Sequence, residues 1–121
     1  MAGPTFGDGK ICYLEIPAVD VKKSSEFYHD VFNWTIRDHG DGALSFDDAV
    51  NEVSGMWVLG KNRIIGDSIV VHIMVLDLRD AISRIEKHGG EIMEVVPVDG
   101  EEKAAYFTDP AGNVFGIYQH R

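Results

Sequence analysis

Positive charge is scarce in this chain: Lys and Arg total 11 against 20 Asp and Glu, for a net charge of −9. A nucleic-acid binder needs a basic surface to displace counterions, so the balance argues against DNA or RNA as partner. It argues equally against docking on an anionic membrane. Cysteine is almost absent. Cys12 stands alone, which excludes an intramolecular disulfide and a cysteine-based zinc site. Its place in a β-rich run predicts a buried, inert thiol. No apolar run approaches the ~20 residues of a membrane span. The opening MAGPTFGDGK has neither the apolar stretch nor the cationic start of a secretory signal. The expectation is a cytoplasmic protein. Gly-rich phosphate loops and serine nucleophile elbows are missing as well.

What remains is ordinary globular material. The chain has 121 residues, 45% of them apolar and 26% charged. That suits one domain with its own core. Residues 1–9 read as a flexible leader, and 10–121 as a single domain. Residues 10–17 alternate like a strand. Asp20 is placed to cap a helix carrying Val21, Ser24, Phe27, Tyr28, Val31 and Phe32 at helical spacing. Strands follow at 34–38, 43–47 and 52–59. After the connector 61–67, residues 68–76 read as a long apolar strand. Asp77 caps a second helix with Leu78, Ala81, Ile82 and Ile85 inward, and Gly89 and Gly90 end it. Strands at 91–98, 103–109 and 113–119 complete the chain.

The order βαβββ therefore occurs twice, as module one (10–60) and module two (68–119). The two caps, Asp20 and Asp77, lie 57 residues apart, and that offset sets Ile16 on Ile73, Val21 on Leu78 and Glu15 on His72. Internal repetition is the leading feature of the sequence. The fold class is α+β, two tandem βαβββ modules forming one domain, with a curved mixed sheet around a cavity.

Three segments carry a resemblance: the duplicated units, EIPAVDVKKSSEFYHDVFNW (15–34) and YFTDPAGNVFGIYQ (106–119). Together they resemble the vicinal oxygen chelate superfamily, the glyoxalase/bleomycin-resistance/extradiol-dioxygenase group. The most specific piece runs from Phe107 to Asn113. Its Asp-Pro-Xaa-Gly-Asn is hairpin chemistry, with Pro presetting φ and Gly and Asn tolerating positive φ. The resemblance implies a divalent metal held by first- and last-strand ligands and chelating neighbouring substrate oxygens. Carried over residue by residue, those positions fall on Tyr13, Val70 and Gly116. Val70 and Gly116 have no side-chain donor, so no cofactor is expected, and a divalent metal is the minor alternative. Relatives of this length often dimerise, so a homodimer is expected.

Strand alternation puts Glu15 on the side of Tyr13 and His72 on the side of Val70. Three readings stay open for Glu15 and His72. They are structural hydrogen-bonding residues, or ligand contacts or acid–base groups in an apolar pocket. Alternatively they belong to a displaced metal site that needs a third ligand such as His120. Tyr13, Trp57, Met74, Gly116 and Tyr118 are the candidate ligand-binding residues. The function expected is a small organic molecule bound in the cavity between modules, without the family metal. The alternative is a metal-assisted or Glu/His acid–base lyase or isomerase of the same superfamily.

Overall fold

A computed structural model describes residues 3–120. Met1 and Ala2 of the expected leader, and Arg121, lie outside the described residues. The chain divides into two units, one ending at Lys61 and the other starting at Asn62.

In the first unit Asp20 caps α1 (Val21–Phe32) by accepting the Lys23 N–H at 3.1 Å. Asn33 ends the helix in the left-handed conformation, φ 61°, which Asn tolerates better than most residues. The helix buries Phe27, Tyr28, Val31 and Phe32 against a sheet of β1 (Tyr13–Ala18), β2 (Thr35–Asp38), β3 (Leu44–Asp47) and β4 (Ser54–Leu59). The strand order is β1-β4-β3-β2, with β1 parallel to β4 and the rest antiparallel. Tyr28, Trp34 and Phe46 stack in series, with ring centroids 4.6 and 4.4 Å apart. Trp57 closes the cluster 4.9 Å from Phe46.

The second unit repeats the plan. Asp77 accepts the Asp80 N–H at 3.0 Å and caps α2 (Leu78–Lys87), which buries Leu78, Ala81 and Ile85. Its sheet contains β5 (His72–Val75), β6 (Glu91–Val98), β7 (Glu101–Thr108) and β8 (Val114–Gln119). The order β5-β8-β7-β6, with β5 parallel to β8, matches the first sheet. Phe107, Phe115 and Ile117 fill the core on the helix side. The α+β class and the two repeated modules are thus both present. No helix among the described residues is long and apolar enough to cross a membrane.

Two local expectations are corrected. β5 starts at His72, not at residue 68. The Val114 N–H, which a longer β5 would use, instead donates to the Ile64 carbonyl at 2.7 Å. β1 starts at Tyr13, and Cys12 before it is exposed, not buried. Ahead of β1, Thr5 and Lys10 meet a residue of the loop before β4. Glu52 accepts from Thr5 N, Thr5 Oγ1 and Lys10 Nζ at 3.1, 2.9 and 2.9 Å. Lys10 first, then Thr5, holds the Glu52 carboxyl below the usual carboxylate range.

Candidate functional site

Each sheet packs one side on its helix and leaves the other open, because strand side chains alternate. In the first sheet Ile16, Phe46 and Trp57 face the helix. Tyr13 and Glu15, paired with Ser54 and Met56, share the open side. Tyr13 is half exposed. Glu15 sits 3.2 Å from Lys61 Nζ, with both side chains about half exposed. This corrects the expected apolar wall around Glu15. It is a solvated ion pair, and such pairs contribute little to stability.

Trp57 is corrected too. The sequence places it among the candidate ligand-binding residues, but it is 3% exposed and buried in the helix-side aromatic cluster. The cause is register: Trp57 lies opposite Ile16, a core residue, so its ring must point to the core.

The open side of the second sheet is built differently. His72, Gly116 and Tyr106 lie directly opposite one another across β5, β8 and β7. A β-carbon at Gly116 would fall 2.3 Å from His72 Nδ1, 2.4 Å from Cε1 and 3.0 Å from Cγ. Three ring atoms that close together in distance mean that the imidazole lies face-down on Gly116. Its other face is turned outward, and His72 is exposed. The Tyr106 ring stands at 66° to it, with centroids 5.5 Å apart. Floor and wall form an aromatic corner. In the next row Met74, 68% exposed, lies opposite Tyr118. The His120 ring is 6.4 Å from that of Tyr118.

His72 differs in its bonding from His29 and His39. Among the described residues nothing donates to or accepts from its ring nitrogens; its recorded neighbours are the Tyr106 ring and Gly116. By contrast, His29 Nδ1 donates to the Trp34 carbonyl at 2.9 Å, and His39 Nε2 bonds Ser45 Oγ at 2.7 Å. None of the residues paired across the corner is Lys or Arg, and the carboxylate nearest it in register is Glu94, opposite Tyr106.

The sequence reading brought His72, Met74, Gly116 and Tyr118 to one face, and the structure places them there. Glu15 and Tyr13 belong to the other sheet. Tyr106 was missed. Its signal was present: Phe107 faces the core, so alternation turns Tyr106 to the open side.

The implied metal fails a test of donors. Val70 lies in the coil before β5 and Gly116 in β8, and neither has a side-chain donor. His72 covers the place where a side chain from position 116 would emerge. Among the described residues no three His, Cys, Asp or Glu gather closely enough to hold an ion. The residues present do not fit the family metal.

Below the corner, the β7–β8 turn is a buried polar knot. Asp109 and Asn113 are 3% and 0% exposed. Asp109 Oδ1 accepts the backbone N–H of Ala111 and Asn113, and its Oδ2 accepts the Asn113 amide, all near 2.9–3.0 Å. Asn113 Oδ1 accepts the Ile64 N–H at 2.9 Å, fastening the connector to the hairpin.

Comparison with known proteins matches this architecture. A family model described as "Glyoxalase/Bleomycin resistance protein/Dioxygenase superfamily" covers residues 10–117. A "Glyoxylase-like domain-containing protein" of Didymella fabae is 29% identical over 118 residues, covering 90% of this chain and 92% of that one. Among solved structures, the fosfomycin resistance protein FosX of Listeria monocytogenes superposes with a TM-score of 0.73 at 20% identity, covering 93% and 92% of the two chains. TnmS3, an antibiotic binding protein from Streptomyces sp. CB03234, superposes with a TM-score of 0.70 at 18% identity, covering 95% and 98%. At these identities the structural neighbours speak for the fold alone. With the repeated βαβββ units and the family match over residues 10–117 in agreement, the chain belongs to the glyoxalase/bleomycin resistance protein/dioxygenase superfamily.

Proposed function

We propose that the protein binds a small organic molecule on the open side of its second sheet, without a resident metal. The observation that carries this reading is His72, an exposed imidazole whose two nitrogens have no partner among the described residues. His29 and His39 each commit one ring nitrogen to a partner within the fold, and His72 commits neither. An imidazole nitrogen and the Tyr106 hydroxyl are one or two polar contacts on a surface otherwise made of Met74 and Tyr118. That mixture, mostly apolar with a few polar groups, is what small-molecule sites use. Antibiotic binding, as in the name of TnmS3, is the analogous activity on this fold, and it reaches this chain by analogy of fold.

The test is a fragment screen by NMR on ¹⁵N-labelled protein in excess chelator. Hits are expected to move the amides of His72, Met74 and Gly116. His72→Ala is expected to weaken them about tenfold, the equivalent of about 1.4 kcal/mol. Hits that appear only when a divalent ion is restored, or that leave this face undisturbed, would overturn the proposal.

A further inference from the structure

The corner at Gly116 says more about the ligand than that it is small. We infer that the site is a stacking seat for a planar, uncharged aromatic molecule with a hydroxyl or carbonyl on its rim, and that Gly116 determines this specificity. The inference rests on the small-molecule reading above and narrows it.

The argument begins with glycine. Gly116 is in the middle of a strand, where glycine is weak and needs a reason. The reason here is spatial. Any β-carbon would sit 2.3–2.4 Å from two atoms of the His72 ring, so the imidazole lies flat only because position 116 has no side chain. Lying flat, it gives the strand surface an aromatic floor with one face outward. Tyr106, at 66° and 5.5 Å, supplies a wall beside that floor. A flat ring placed on His72 meets one aromatic face-on and the other at an angle, the two arrangements that aromatic quadrupoles favour. The exposed thioether of Met74 extends the same surface, and sulfur–ring contact adds to it.

Charge narrows the class. A carboxylate or phosphonate would be held best by a Lys or Arg, and none of the residues paired across the corner, His72, Gly116, Tyr106 and Glu94, is one. Glu94, opposite Tyr106, repels anions further. The polar groups that remain are the imidazole nitrogens and the phenol. They suit a neutral hydroxyl, which can donate to them or accept from them, or a carbonyl, which accepts from them.

The experiment compares two probes on the full chain: 2-naphthol, planar and neutral, and propylphosphonate, small and anionic. 2-Naphthol is expected to shift the His72, Gly116 and Tyr106 amide signals, and to move the His72 ring protons upfield as a ring stacks on them. Propylphosphonate is expected to shift none of these. In Gly116→Ala the His72 ring must lift, and 2-naphthol is expected to bind roughly three- to tenfold more weakly, the range of one aromatic contact. Should that variant fold poorly, His72→Gln keeps a polar side chain while removing the floor, and the same loss is expected. If propylphosphonate binds this face and 2-naphthol does not, the planar class is overturned while the small-molecule site stands. If 2-naphthol binds here equally well in both variants, the role of Gly116 and His72 is overturned. If neither probe touches this face, both the class and the seat are overturned; the fragment screen separately decides the wider reading.

Discussion

Alanine at position 55 is expected to destabilise the protein by about 3 kcal/mol or more, at or above the top of the usual range for overpacking a core. Gly55 is buried in β4 on the helix side of the first sheet. A β-carbon there would sit 2.3 Å from the Leu14 carbonyl oxygen and 2.4 Å from an atom of the Phe46 ring. Neither neighbour has room to retreat. The Leu14 carbonyl belongs to the backbone of the adjoining strand, opposite Gly55 itself. Phe46 is fully buried between Trp34, 4.4 Å away, and Trp57, 4.9 Å away. The strand pair β1–β4 must therefore open, or the aromatic cluster must be rebuilt. A contrast lies at Gly116, where the obstacle is the end of the exposed His72 side chain, which can swing away at small cost. Denaturant unfolding of Gly55→Ala beside Gly7→Ala checks this, since nothing lies within 4 Å of a β-carbon at Gly7. The account requires a large loss in the first and a change within about 0.5 kcal/mol in the second. Equal stability of the two variants would mean that the β1–β4 packing described here is wrong.

A second large effect is expected at Asp109. Its carboxylate takes three donors at once: two backbone N–H groups and the Asn113 amide. Both side chains are buried. Asp109→Ala removes the acceptors and leaves the donors in place. Each stranded donor costs about 1–3 kcal/mol; relaxation and water entry reduce the sum, so a loss of about 3–5 kcal/mol is expected. Asp109→Asn should fall between, because one amide oxygen still accepts while its NH₂ meets the Asn113 NH₂. The loss should also spread to the connector, since Asn113 holds Ile64 and Ile64 holds Val114. Hydrogen exchange at the Ile64 and Val114 amides reads this directly. Protection there that is unchanged in Asp109→Ala would contradict the coupling.

These residues also mark how far the sequence could be read. Asp20 and Asp77 were visible as caps because capping is chemistry between residues three apart. The Asp109–Asn113 turn was visible for the same reason. The repeat followed from element order, which needs no register. What escaped depended on pairing between distant segments. Cys12 looked like strand interior, but the ladder begins after it, and Lys10 before it bonds Glu52, 42 residues away. The start of β5 is set by Ile64 competing for the Val114 N–H. Trp57 was named a ligand-binding candidate though it faces the core, because a one-residue choice of register inverts every side chain. His72 and Gly116 were singled out separately. Their contact, and the part of Tyr106 in it, required knowing that β5, β8 and β7 lie side by side.

The central proposal is that the residues of this chain do not fit the family metal and that its second sheet presents an aromatic face to a ligand. The most direct measurement is thermal unfolding of chelator-stripped protein with Ni²⁺, Zn²⁺, Mn²⁺, Fe²⁺ or Mg²⁺ added in turn. A specific site filled to about 100 times its dissociation constant adds roughly 2.7 kcal/mol. In a domain of this length that raises the midpoint by something like 10 °C. The account predicts an unchanged midpoint with all of these ions. A rise of that size with one of them, abolished in His72→Ala, would contradict it and make His72 a metal ligand.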